Sequence, residues 1–146
     1  MDIYDTAAVQ KIWQRVGLAS PELFRQGEND LLSIIRQEQE LVMFLQKLRR
    51  GQEGKFFCQA AERAAILRAI YYVRTGQTIS RSCPVHRQGG VSAESLRHKI
   101  QTVQTLGQCY RQAAQSTQDH RDLFKQWAEQ TADCASYLLK RLAMLV

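Results

Sequence analysis

The stretch that decides the fold is DLLSIIRQEQELVMFLQKL, residues 30–48. Leu31, Ile35, Glu38, Val42 and Leu45 fall 4, 3, 4 and 3 apart, flanked by Ile34, Leu41 and Leu48. That spacing places one apolar stripe along a helix, and such a stripe requires a partner to cover it. The stripe has one anomaly, because Glu38 stands in its middle. Working outward, the helix is expected over 28–50, closed by Gly51 and Gly54. A second helix follows over 56–74, ending before Gly76. Its core side offers Phe57, Ala60, Ala61, Ala64, Leu67 and Tyr71, with alanines that let a neighbour come close. A third stripe runs Leu96, Ile100, Val103, Gly107, Tyr110 and Ala114, and a fourth runs Phe124, Trp127, Thr131, Cys134 and Leu138.

Each segment has about 19 to 25 residues, which at 1.5 Å per residue makes rods of about 28 to 38 Å. Rods of matched length with 3-and-4 spacing pack as a bundle. The first pair and the last pair are joined by short connections, so each forms an antiparallel hairpin. Residues 77–91 (QTISRSCPVHRQGGV) carry Ser, Pro and a Gly-Gly pair without a period. About 15 residues at about 3.3 Å each reach about 50 Å, enough to run the length of the bundle. Before residue 28, Ala8, Val9, Ile12, Trp13 and Val16 predict a short N-terminal helix. The expectation is an all-α chain with a helical extension over 1–27 and a four-helix bundle over 28–146.

The 146 residues suit one domain, with 45% apolar and 23% charged residues and only two prolines. That composition excludes a disordered tail, a collagen-like repeat and a disulfide-packed mini-protein. The net charge of +6 is spread along the chain, densest at Lys47, Arg49, Arg50 and Lys55 and at Arg74, Arg81 and Arg87. It reads either as a solvated basic surface or as a face for an anionic partner. Asp2 and Asp5 in the first ten residues do not suit a secretory leader, and no apolar run is long enough to span a membrane, so the expected setting is cytoplasmic. Cys58, Cys83, Cys109 and Cys134 show no CxxC spacing and read as free thiols. Cys83-Pro-Val-His86 reads as an ordinary loop or as half of a zinc site.

Two stretches, I35-R-Q-E38-Q-E-L-V-M-F44-L and A64-A-I-L-R-A-I-Y71-Y-V-R-T-G76, together with the order hairpin, crossover, hairpin, resemble the rubrerythrin-like branch of the ferritin-like superfamily over residues 28–144. The resemblance implies a ferritin-like topology and a di-metal site made of a Glu on each of two helices and Glu-x-x-His on each of the other two. Glu38 matches one of those carboxylates. The equivalent position on the third helix is Val103, and on the fourth the frame falls on Thr131 and Cys134. On the second it falls on Ala60 or Ala61 with Arg63 or Ala64, with Glu62 as the nearby carboxylate. His86, His98 and His120 lie away from the mid-helix layer, and no Glu-x-x-His occurs.

Three readings of Glu38 follow: an altered metal ligand, a buried acid paired with Arg63 or Arg68 or bonded to Tyr110 or Thr131, or a residue at the bundle edge. The functional expectation is a non-catalytic ferritin-like bundle that has lost its di-iron site, holds no cofactor and acts as a binding or regulatory protein. Its partners would be a second copy of the chain, another protein or an anion. The alternative is an iron or other divalent-metal protein with a reduced ligand set of Glu38, Glu62 and Cys134. A further alternative is a basic helical module that binds nucleic acid.

Overall fold

The computed structural model describes residues 28–48, 53–79, 91–116 and 121–146. These form α1 (Glu28–Leu48), α2 (Glu53–Thr75), α3 (Ala93–Ser116) and α4 (Arg121–Ala143), with no strand among the described residues. The N-terminal helix expected within 1–27, and Cys83, His86 and His120, lie outside them.

Local signals place the helix ends. Ser92 caps α3: its hydroxyl accepts from the Ser95 amide at 3.1 Å, while its carbonyl accepts from the Leu96 amide at 3.0 Å. Beyond α2, Gly76 takes φ +70°, and its amide donates to the Tyr72 carbonyl at 2.8 Å. A left-handed residue just past a helix is the usual role of glycine there. Thr75 Oγ1 assists the same exit, donating to Tyr71 O at 2.8 Å and accepting from the Gln77 amide at 3.1 Å.

α1 packs on α2 and α3 on α4, and the two hairpins meet through α1–α3 and α2–α4. Leu48 at the end of α1 lines a groove with Leu96 near the start of α3, with Arg141 in the last turn of α4 and with Met144 and Leu145 just past it. Phe56, near the start of α2, stacks on Tyr137 of α4 with ring centroids 5.3 Å apart. Touching helices are therefore antiparallel and diagonal ones parallel. The end of α2 and the start of α3 lie at opposite ends of the bundle, as a lengthwise connection between the hairpins requires.

The core follows the expected stripes on α3 and α4, every member of which is buried. Burying side chains such as Phe124, Trp127 and Leu138 stabilises the bundle by about 1.5–3 kcal/mol each. On α2 the expected face is too narrow. Phe56, Arg63, Ile66 and Ile70 are buried beside Ala60, Ala64, Leu67 and Tyr71, whereas Phe57 and Ala61 are half-buried. The physical reason is that α2 touches both α1 and α4, so a wider arc of it leaves water. α3 and α4 approach closely at Gly107: a Cβ there would stand 3.0 Å from Thr131 Oγ1.

Candidate functional site

Midway along the bundle, each helix contributes one polar side chain to a single hydrogen-bonded node. Glu38 of α1 is 0% exposed and Arg63 of α2 only 2%. The Arg63 Nε donates to Glu38 Oε1 at 2.8 Å, and its Nη1 donates to Oε1 of Gln130 on α4 at 2.9 Å. The hydroxyl of Tyr110 on α3, also 0% exposed, donates to the same Glu38 oxygen at 2.5 Å. An isolated charge in such an interior would cost several kcal/mol, so the acid persists because a guanidinium and a phenol answer it.

The surrounding shell is apolar. Trp127 sets its ring edge-on to Tyr110 at 5.2 Å and to Phe124 at 5.5 Å, fixing the phenol from the α4 side. No protein group among the described residues donates to Glu38 Oε2, so half of the carboxylate is unused.

The electrostatics follow from burial and from the ion pair. Burial works against the charge on Arg63, but Glu38 more than offsets this, and the pKa lies above its ordinary value. Burial pushes the Tyr110 phenol well up, and the negative charge of Glu38 adds to this against the pull of Arg63. The Cys134 thiol, 2% exposed, is pushed up to about 12 by burial, opposed by Arg63 and reinforced by Glu38. At neutral pH Tyr110 is therefore a donor and Cys134 a neutral thiol, neither of them nucleophilic.

The structure thus brings Glu38, Arg63 and Tyr110 together, as one of the three readings of Glu38 anticipated, and removes the reading of Glu38 as an edge residue. Arg68 is half-buried and is not the partner found. Thr131 does not reach Glu38 either: its Oγ1 turns back on its own helix, 3.0 Å from Trp127 O and 2.8 Å from Ala128 O. Among the three expected ligands, Glu38 and Cys134 both face the core, while Glu62 is half-buried on α2 and has a partner of its own. Among the described residues, no three His, Cys, Asp or Glu come close enough to share an ion. Gln130 was not foreseen. It sits beside Thr131 at the margin of the α4 stripe, where only a long side chain reaches the interior.

What the node can do chemically is limited. Its charges are paired within 2.8 Å and sealed from water, so it holds neither an accessible base nor a nucleophile. No helix among the described residues is long and apolar enough to cross a membrane. No family model, no curated protein and no solved structure matches this chain.

Proposed function

We propose that the protein is a non-catalytic bundle of the ferritin-like, rubrerythrin-like kind, in which an internal ion pair stands where the family places two metal ions, and that it acts as a cytoplasmic binding or regulatory protein through its surface. The observation that carries this reading is Arg63. A guanidinium bonded to the mid-bundle carboxylate already supplies the positive charge that a metal ion would bring, and a second cation beside it would meet its repulsion. Antiparallel neighbours, parallel diagonals and the offset between the end of α2 and the start of α3 support the ferritin-like topology.

One observation favours the alternative of a reduced metal site around Glu38: Oε2 of that residue lacks a donor and Cys134 shares its core. Metal analysis of protein purified without chelator separates the two. The expected content is below about 0.2 equivalent of iron, manganese or zinc per chain, because tight sites survive purification. A full equivalent that falls away in Glu38→Gln, with the fold intact by circular dichroism, would overturn the proposal.

A further inference from the structure

At the end of the bundle where α3 finishes and α4 begins, a groove of about 550 Å³ opens between the two helices. That is within the usual volume of small-ligand sites. Ala114, Ala128 and Ala132 line it, and their short side chains leave the space open. Arg111 stands on the α3 wall, and Arg121 and Lys125 stand on the α4 wall. Arg121 Nε donates to the Ala114 carbonyl at 3.3 Å, answering the negative end of α3. Glu129, one turn beyond Lys125 on α4, also lines the groove.

We propose that this groove binds a small phosphate monoester whose body carries hydroxyl or amine groups. This deepens the surface-binding reading given above and rests on it. Three cations from two helices line the groove, and arginine forks match phosphate oxygens in pairs. The alanine lining accepts the flat or apolar part of the ligand. From Arg121 to Glu129 is eight residues, or about 12 Å along the helix, so a ligand whose phosphate sits at Arg121 extends its body past Lys125 to a carboxylate that accepts from its donors. A wholly anionic ligand of that length would be repelled at Glu129, which selects against a nucleic-acid strand and for a compact monoester. The net charge of +6 also disfavours a second copy of the chain as the occupant of a basic groove.

Calorimetry on the full chain at low salt tests this with adenosine 5′-monophosphate, adenosine and inorganic phosphate as probes. The monophosphate is expected to bind more tightly than either part alone. Replacing Arg111 and Lys125 by Ser, both at exposed positions, should weaken it by about tenfold per cation removed, the usual worth of a charge-assisted hydrogen bond. Should the double variant unfold, Lys125→Ser alone reads the same effect. Glu129→Ala should weaken the monophosphate while leaving inorganic phosphate unchanged. No heat with any probe, equal binding by wild type and the serine variant, or single-stranded DNA binding that the monophosphate does not displace would each overturn the groove assignment. Metal content is measured separately, so failure of the groove is distinguishable from failure of the metal-free reading.

Discussion

Arg63 and Glu38 illustrate how one residue's cost becomes another's constraint. Truncating Arg63 to Met leaves the Glu38 charge buried without its cation, which should cost about 3–5 kcal/mol in urea unfolding. Replacing both, as Glu38→Leu with Arg63→Met, should cost less, because no unpaired charge then remains and only the Tyr110 hydroxyl and Gln130 lose their partners. The cycle decides whether the pair acts as a unit; additive single losses would show two independent residues. The acid was legible in the sequence as a break in an apolar stripe. Its partner was legible only as one of several arginines, because a long flexible side chain can point inward or outward from the same helical position. Gln130 left no signal at all: a glutamine at a stripe margin has the same spacing whether it faces water or a guanidinium.

At the scale of the helices, α1, α3 and α4 were readable from period because apolar residues recur along one face of each, broken in α1 by Glu38. α2 was readable as a helix but not in the width of its buried face, since a buried Arg63 and the exposed Tyr72 and Val73 blur its stripe from both sides. The α3–α4 pair depends on a different signal, a missing side chain. Gly107→Ala adds helix propensity of about 0.5–1 kcal/mol. The new Cβ would meet Thr131 Oγ1 at 3.0 Å, and that hydroxyl is held by two carbonyls of its own helix. Overpacking of this kind costs about 1–3 kcal/mol, so the net change should be destabilising. In a Thr131→Ala background the obstacle is gone and the same Gly107→Ala change should stabilise. Urea midpoints that fail to reverse in sign would refute the steric account. Glycine in the third stripe was visible in the sequence, but what it faced required the register of the two helices.

For the molecule as a whole, the buried thiol and phenol set an alkaline limit. Cys134 has an ordinary value of 9.0 and sits at about 12 in the fold, and Tyr110 is raised well above 10.0. Between pH 9 and 12 the folded chain keeps protons that the unfolded chain releases, so stability falls as pH rises. Each group contributes a slope of up to about 1.4 kcal/mol per pH unit within its window. Glu38 and Arg63 both face these groups, and Arg63 keeps its charge through that range. Thermal midpoints should therefore decline from pH 9 upward, and Tyr110→Phe should flatten the part above pH 10. An unchanged midpoint to pH 11 would contradict the burial assigned to these groups. The architecture was legible in outline because four periodic segments, two short links and one long one leave few ways to arrange rods. The small-molecule groove was not, because Arg111 and Lys125 come from different helices and are neighbours only after folding. The junction of four side chains, one per rod, has a last implication for assembly. Glu38 and Arg63 belong to one half of the chain, Tyr110 and Gln130 to the other. Sliding one half past the other by a single turn, about 5.4 Å, would preserve much of the oily contact and the Glu38–Arg63 pair, yet strand Tyr110 and Gln130 without their partners. Grease alone would let the halves dock in several registers; the shared knot admits one and works as a keyed latch.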